Sequence, residues 1–216
     1  MCGRFTLTAD LQALQESFPG VAFPDLYVPR YNIAPGQPVL IIEAQQPTEA
    51  GFAQWGLVPS WAKPGASRIG PYVNARTETA ASKPAFRAAW RHRRALIPAD
   101  GFYEWQSVGR SKIPWYFCLR ERRPFAFAGL WEEWQGVRTC LILTVPANDL
   151  VRPIHDRMPL ILAPQEYEEW LRPRANEPLE RWVRPFSTEA MLAYRVSPRV
   201  NRSDVDEPEL LEPQHP

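Results

Sequence analysis

The feature that most constrains the fold is a series of short β-type segments with few helices between them. Runs rich in β-branched and aromatic residues predict strands at residues 39–43, 52–57, 94–98, 101–105, 114–119, 125–131, 137–145 and 158–162. Helical patterns occur at residues 76–81, 84–91, 165–171 and 179–183, and in a short helix capped by Thr8 that carries Leu11, Leu14 and Phe18. Closely spaced strands with few helices predict an α+β fold with an antiparallel β-barrel-like core and peripheral short helices.

The composition is that of a single folded domain. Of 216 residues, 45% are hydrophobic and 12% aromatic, and the 24 prolines are spread along the chain rather than gathered in a linker. We expect one domain over residues 1–202 and an irregular acidic tail over residues 203–216. Apolar runs such as residues 141–145 are too short to span a bilayer, and we see no secretory leader.

The three cysteines are odd in number and scattered along the chain: Cys2, Cys118 and Cys140. Their spacing matches neither a disulfide framework nor a zinc site, and it suits a reducing compartment. We therefore expect a cytoplasmic protein with no metal, no cofactor and no membrane partner.

The small net charge of +1 hides a segregation of charge. Residues 203–216 contain five acidic residues and no Lys or Arg, which leaves residues 1–202 with a net charge of +6. Arginine supplies 22 of the 25 basic residues, and its planar guanidinium group suits phosphate oxygens. An Arg-biased genome explains much of this preference, so charge alone does not indicate a nucleic-acid partner.

Cys2 carries distinctive chemistry. Removal of Met1, which is usual when the second residue is small, would leave an α-amine and a thiol on adjacent carbons. An α-amine has an unperturbed pKa of about 7.7–8.0, so part of it is neutral at pH 7. It can condense with an aldehyde to an imine, and the thiol can then close a five-membered thiazolidine ring. Taken alone, however, a cysteine here is more simply an accident of a tolerant terminus.

The opening MCGRF is followed by further recognisable segments in a fixed order. They are YNIAP (31–35), WGLVPSW (55–61), NARTET (74–79), ADGFYEW (99–105), FAGLWE (127–132), HDRMP (155–159) and VSPRVN (196–201). Together they resemble the SOS response-associated peptidase (SRAP) family over nearly the whole chain. The resemblance implies a mixed, β-barrel-like fold and covalent capture of abasic sites in single-stranded DNA as a thiazolidine. It also implies protection of the lesion from strand cleavage and, from the family name, autoproteolytic exposure of Cys2. On this basis we expect a monomer that is associated with the nucleoid when bound to damaged DNA.

The resemblance assigns catalytic roles to three residues besides Cys2. Glu104 is the expected acid–base that opens the closed sugar to its aldehyde, because a carboxyl group among aromatics tends to have a raised pKa. His155 is expected to bind the sugar oxygen or to protonate the departing hydroxyl. Asn74 is expected to hold the sugar or the terminal amine, or to cap the following helix. Without the resemblance, a surface glutamate and a structural histidine are the simpler interpretations.

Three arginines and one asparagine are candidate contacts to the DNA backbone. Arg76 and Arg157 lie in matched segments and are expected to bind phosphates, with Arg4 beside the terminus. Asn32 is expected to support the Cys2 pocket or to contact the DNA backbone. For any single arginine, a solvated surface charge is the simpler alternative.

Two tryptophans are candidate contacts to bases. Trp55 and Trp61 bound the WGLVPSW segment and are expected to stack on bases or wedge against the unpaired strand, at about 1–3 kcal/mol per stacked base. Most of the nine tryptophans must lie in the core, and Trp105 and Trp131 are assigned to it.

Other functions remain open from the residues alone. An N-terminal-nucleophile amidohydrolase also begins at a cysteine, whose thiol attacks an amide carbonyl. A non-catalytic single-stranded DNA-binding module would bind reversibly and would still bind after Cys2→Ala. A peptidase acting on other proteins is less favoured, because no triad spacing is visible. ADGFYEW and HDRMP have no role in an amidohydrolase, so they favour the crosslinking function.

Overall fold

The structure is a computed structural model that describes residues 2–65, 70–172, 174 and 178–214. Its strands are β1 (Arg4–Leu7), β2 (Arg30–Ile33), β3 (Pro38–Glu43), β4 (Gln46–Trp55), β5 (Asn74–Arg76), β6 (Arg94–Ala99), β7 (Gly101–Val108), β8 (Ser111–Leu119), β9 (Phe125–Trp134), β10 (Val137–Pro146), β11 (Arg157–Pro159), β12 (Ile161–Leu162) and β13 (Met191–Arg195). Its α-helices are α1 (Leu11–Ser17), α2 (Thr77–Ala80), α3 (Arg87–His92) and α4 (Tyr167–Leu171). Short 3-10 helices occur at Pro164–Glu166, Leu179–Trp182, Pro198–Asn201 and Pro208–Leu211.

Five strands close into a barrel. β3 pairs with β4 and β6, β6 pairs with β9, β9 pairs with β10, and β10 returns to β4. These pairings are antiparallel except that between β10 and β4. β5 and β11 extend the sheet along β10, and β12 pairs with β9. The predicted α+β fold with a β-barrel-like core is confirmed.

A second, antiparallel sheet packs against the barrel in the strand order β13-β8-β7-β1-β2. Phe5 on β1 meets Trp55 and Phe127 of the barrel edge to face, with ring centroids 5.1 and 5.6 Å apart. Phe102 on β7 also contacts Phe127, at 6.2 Å. Aromatic pairs of this geometry contribute about 0.5–1.5 kcal/mol each beyond the area they bury. They hold the sheet in a fixed position over the barrel.

The two faces of β7 carry different residues, because side chains alternate along a strand. Phe102 belongs to the core between sheet and barrel, whereas Tyr103 packs with Tyr116 in a separate cluster on the outer face. By the same alternation Glu104 follows Phe102, and Trp105 follows Tyr103. Glu104 is therefore buried at the rim between the two sheets.

Most corrections to the predicted elements concern their ends. Asp10 rather than Thr8 caps α1, since its carboxylate accepts the Ala13 N–H at 2.9 Å, and the Thr8 hydroxyl donates to Asp100 instead. Residues 158–162 divide between β11 and β12, and the helix predicted at residues 179–183 is a 3-10 turn. β1, β2 and β5 were not predicted, because three or four residues are too few to show an alternating pattern. The five-residue strand β13 was also missed. Within the described ranges, no helix has the length and apolar character needed to cross a bilayer.

The acidic tail, which we expected to be irregular, has one short 3-10 turn among its described residues and packs onto the domain. Leu210 is fully buried in the short turn Pro208–Leu211. The carboxylate of Asp206 accepts the N–H groups of Tyr31 and Asn32, at 2.6 and 2.9 Å, and also pairs with Arg30. The tail is therefore bound to β2 and is continuous with the domain.

Candidate functional site

Cys2 and Asn74 meet where the second sheet ends against the barrel. Cys2 precedes β1 and is fully buried. Asn74 begins β5, which pairs in parallel with β10, so its side chain is set by the barrel. Its Nδ2 donates to the Cys2 carbonyl oxygen at 2.8 Å. The barrel thereby fixes the peptide group that follows the reactive atoms of Cys2.

The carboxyl group of Glu104 is also buried and lies near Cys2. Burial is the main cause that raises the pKa of Glu104 to about 7, and the negative charge of nearby Asp156 also raises this pKa. The positive charge of the N-terminus lowers it in part. The predicted raised pKa of Glu104 therefore agrees with its surroundings. A carboxyl group with a pKa near 7 can both donate and accept a proton at neutral pH.

The thiol of Cys2 is held in its protonated form. Burial raises the pKa of Cys2 well above its usual range, and the Glu104 carboxylate raises it further. Its Sγ atom lies 3.6 Å from the Arg4 carbonyl oxygen, to which it donates. Because the thiolate is the reactive form of cysteine, this thiol is a poor first nucleophile.

His155 lies in the turn before β11, beside Asp156. Burial lowers the pKa of His155, and the positive charge of the N-terminus lowers it further, so the imidazole is neutral at pH 7. Nδ1 accepts the backbone N–H of Arg157 at 3.0 Å. The same Nδ1 lies 3.1 Å from Asp156 Oδ1, so the ring is held by both neighbouring residues. Cys2, Asn74, Glu104 and His155 thus come together from four separate parts of the chain.

Arg76 and Trp61 are the predicted DNA contacts that the structure leaves accessible. Arg76 is exposed at the end of β5, two residues after Asn74, and Trp61 is 55% exposed. Both line an open cavity of about 500 Å³, together with Tyr72, Lys83 and Phe86. The cavity adjoins Asn74, so aromatic rings and two cations lie next to the Cys2 site.

Trp55 and Arg157 are structural residues, which corrects their predicted contacts to DNA. Trp55 is fully buried, and its Nε1 donates to the Val73 carbonyl oxygen at 3.0 Å. Arg157 is 7% exposed; it forms a bidentate pair with Glu78 and donates to the Thr144 carbonyl oxygen at 2.6 Å. Neither side chain presents a free surface to a base or a phosphate.

Arg4 and Asn32 bind the C-terminal segment rather than facing solvent, which corrects the predicted phosphate contact. Asn32 is fully buried and accepts a hydrogen bond from Arg4 at 2.9 Å. Its Nδ2 donates to three carbonyl oxygens, those of Val200, Arg202 and Val205. Arg4 is half-buried and also donates to the Val200 carbonyl oxygen, at 2.7 Å. For Asn32 this favours the alternative in which it supports the Cys2 pocket. Of the tryptophans assigned to the core, Trp131 is buried and Trp105 is half-buried.

The sequence analysis missed the residues that hold the Trp61 loop in place. The Val58 N–H donates to Thr139 Oγ1 at 3.1 Å, and Trp134 Nε1 donates to the Ala62 carbonyl oxygen at 2.8 Å. Both partners lie on the β9–β10 hairpin, more than 70 residues away in sequence. No local pattern signals such contacts, because they depend on closure of the barrel.

The fold and the site define a β-barrel protein in which a buried cysteine near the N-terminus faces a carboxyl group with a raised pKa. The family model described as SOS response associated peptidase (SRAP) matches residues 1–203. The chain belongs to the SRAP family, which confirms the resemblance seen in the sequence.

Several relatives carry the name abasic site processing protein. The chain is 42% identical to YoqW of Bacillus subtilis (strain 168), over 98% of this chain and 99% of the relative. It is 34% identical to YedK of Escherichia coli (strain K12), over 80% of each, and 32% identical to HMCES of Gallus gallus, over 87% of this chain and 67% of the relative. A crystal structure of a Bacteroides thetaiotaomicron protein superposes with a TM-score of 0.87 at 25% identity, over 99% of this chain and 100% of the other.

Proposed function

We propose that this protein captures abasic sites in single-stranded DNA covalently, through the amine and thiol of Cys2 after Met1 has been removed. Its relatives named abasic site processing proteins support the lesion as the substrate. The main observation in support of this chemistry is that buried Cys2 lies near Glu104, whose pKa is about 7. An amine, a thiol and a proton-transfer group are the three parts that thiazolidine formation needs.

The reaction begins with opening of the closed sugar. The Glu104 carboxylate accepts the proton of the C1′ hydroxyl while the bond from C1′ to the ring oxygen breaks and the ring oxygen takes up a proton from solvent. The His155 imidazole is suited to hydrogen-bond a sugar oxygen. The product is an open-chain aldehyde beside the Cys2 amine.

Two further bonds then form at the same carbon. The neutral amine adds to the aldehyde, and one amine proton passes to the aldehyde oxygen, which becomes a hydroxyl group. Protonated Glu104 then returns its proton to this hydroxyl group, which leaves as water and gives the protonated imine. The Cys2 thiol adds to the imine carbon and releases its proton to solvent as the ring closes, which balances the proton taken up by the ring oxygen. One water molecule is lost overall. The raised pKa of Cys2 fits this order, because the amine rather than the thiol attacks first.

An amidohydrolase, in which the thiol attacks first, is less favoured because the ADGFYEW and HDRMP segments have no role in it. A purely non-covalent binding module leaves the burial of Glu104 beside Cys2 without a role. A peptidase acting on other proteins has no further support among the contacts described above.

The test is incubation with a single-stranded oligonucleotide that contains one abasic site, followed by a denaturing gel and intact mass measurement. We expect a heat-stable adduct whose mass is that of the protein without Met1 plus the oligonucleotide, less one water. Cys2→Ala should lose this adduct, whereas Cys118→Ala, which changes another buried cysteine, should retain it. A heat-stable adduct formed by Cys2→Ala would refute the mechanism.

A further inference from the structure

We propose that Arg195, held by Trp115, binds the phosphate of a nucleotide next to the lesion, on the opposite side of Cys2 from Arg76. This inference rests on the proposed function for the identity of the ligand, which is single-stranded DNA. It adds a second phosphate contact to the site, so that the DNA strand is bound on both sides of the reacting sugar.

The positions of Trp115 and Arg195 follow from strand register. On the antiparallel sheet Glu104 pairs with Trp115, and Trp115 pairs with Arg195. Directly paired residues of antiparallel strands project from the same face. Glu104, Trp115 and Arg195 therefore form one row across β7, β8 and β13, on the face that carries the Cys2 site.

The next row of paired residues on the same face explains why the row of Glu104, Trp115 and Arg195 is accessible. Phe102 pairs with Phe117, and Phe117 pairs with Ala193. Phe102 and Phe117 are fully buried beneath the barrel, with rings stacked at 5.1 Å. Two residues further along each strand, Trp115 and Arg195 are half-buried. The row that starts at Glu104 is thus where the sheet emerges from under the barrel.

Arg195 is held in a defined orientation on its own sheet. Its guanidinium carbon lies 5.4 Å from the centroid of the Trp115 ring, a cation–π contact. The Trp115 Nε1 in turn donates to Gln106 Oε1 at 3.2 Å, which fixes the ring. An arginine held in this way keeps its planar donors ready for a phosphate and loses little conformational freedom on binding.

The charge of Arg195 is also available for a ligand. Nearby arginines are neutralised by carboxylates, since Arg199 pairs with Glu207 and Arg202 pairs with Asp204. No carboxylate of the residues that the structure describes forms an ion pair with Arg195. The described part of the acidic tail contacts Arg195 only through its backbone, where the Gln214 N–H donates to the Arg195 carbonyl oxygen at 2.9 Å. The guanidinium group remains available for the DNA.

The spacing suits a strand that crosses the sheet. Neighbouring strands lie about 4.8 Å apart, so the backbone of Arg195 is about 10 Å from that of Glu104, within reach of an adjacent phosphate. Arg76 belongs to the barrel, on the strand whose Asn74 binds Cys2, whereas Arg195 belongs to the second sheet. The DNA would pass Arg76, then Cys2 and Glu104, and then Trp115 and Arg195.

The test uses oligonucleotides with a tetrahydrofuran abasic analogue, which cannot form the adduct, at the 5′ end, at the 3′ end or in the middle. Reversible binding is measured by fluorescence anisotropy over a range of salt concentrations. Arg195→Gln should weaken binding about tenfold when the analogue is central and when it is at one end of the oligonucleotide. Arg76→Gln should weaken binding when the analogue is at the other end. The slope of log K against log salt should become shallower by about 0.7, because one phosphate is no longer neutralised by the protein.

Arg122→Gln is the matched control. Its guanidinium carbon lies 5.6 Å from the ring centroid of Tyr194, so it forms the same kind of pair with β13, on the outer face of the sheet. We expect wild-type affinity for all three oligonucleotides. Trp115→Leu, checked for folding by thermal unfolding, should reproduce the end preference of Arg195→Gln more weakly, because the arginine loses its support.

Equal effects of Arg195→Gln on both end positions, or an effect no larger than that of Arg122→Gln, would overturn the subsite. Failure of the wild-type protein to bind any of the three oligonucleotides would overturn it as well. The analogue has no aldehyde, so these outcomes are separate from adduct formation. An adduct without an Arg195 effect removes only the subsite, and an Arg195 effect without an adduct removes only the proposed chemistry.

Discussion

At the scale of single residues, the chemistry depends on how Glu104 is buried. Its carboxyl group lies at the rim of an aromatic core, and burial is the main reason why its pKa is about 7. A solvated carboxylate, with a pKa near 4, would be almost fully ionised at neutral pH and would be a poor donor. The site therefore obtains an acid and a base from one residue.

Glu104→Gln should slow adduct formation by roughly 100-fold or more, since general acid–base catalysis typically contributes about 10²–10⁴-fold. The amide keeps the size of the side chain but cannot accept or donate the proton. The measurement is the rate of adduct formation under single-turnover conditions, with the affinity for the tetrahydrofuran oligonucleotide as the control. An unchanged rate would remove the acid–base role of Glu104.

The same burial makes Glu104 a source of instability at high pH. The pKa of Glu104 is higher in the folded than in the unfolded chain. Its contribution to the free energy of unfolding is therefore most favourable below about pH 4.3 and is lost as pH rises through about 7. We expect Glu104→Gln to raise the free energy of unfolding by about 1–3 kcal/mol at pH 8 and by much less at pH 4.5. Urea unfolding of both proteins at the two pH values measures this, and an equal effect at both would contradict it.

At the scale of elements, the site is held by contacts between strands that are distant in sequence. Arg157 at the start of β11 binds Glu78 of α2 and the Thr144 carbonyl oxygen of β10. This links the turn that carries His155 to the segment that carries Asn74. Two of the four site residues are thus positioned by one buried arginine.

Arg157→Met should destabilise the fold by about 2–4 kcal/mol, because it leaves the Glu78 carboxylate and a buried carbonyl group without their partner. Arg152→Met is the control, since its pair with Asp149 is exposed and should be worth less than about 0.5 kcal/mol. The free energies of unfolding in urea give both values. Similar values for the two variants would show that the Arg157 pair is not structurally important.

The site was predictable from sequence to the extent that its parts are local. Alternation along β7 was enough to place Glu104 on the face of Phe102. Trp55 and Trp61 belong to one segment of like composition, and only barrel closure decides that the first is buried and the second exposed. Asn32 has the chemistry of a DNA contact, but its donors meet carbonyl groups that lie up to 173 residues away in sequence. Such pairings depend on topology, which residue types do not encode.

At the scale of the whole molecule, the two ends of the chain support one another. The C-terminal segment accepts hydrogen bonds from Arg4 and Asn32, and the tail beyond it binds β2, which pairs with β1. The strand next to Cys2 is therefore braced by residues at the far end of the sequence.

Removal of residues 203–216 should lower the free energy of unfolding by at least about 2 kcal/mol, because it exposes the site of Leu210 and removes the Asp206 contacts to β2. Adduct formation should also slow, since β1 loses part of its support. Thermal unfolding and adduct kinetics measure the two effects, with removal of the last two residues as the control. A truncated protein with wild-type stability would show that the tail is dispensable.

The place of β1 in the interior of its sheet has a consequence for the order of events during synthesis. β1 lies between β2 and β7, so it cannot be enclosed until residue 103 has left the ribosome. At about 5–20 residues per second, the nascent N-terminus stays open for roughly 5–20 s. Cys2 is fully buried once the chain has folded. An aminopeptidase that must contact Cys2 to remove Met1 therefore has its best access to Cys2 during this co-translational interval.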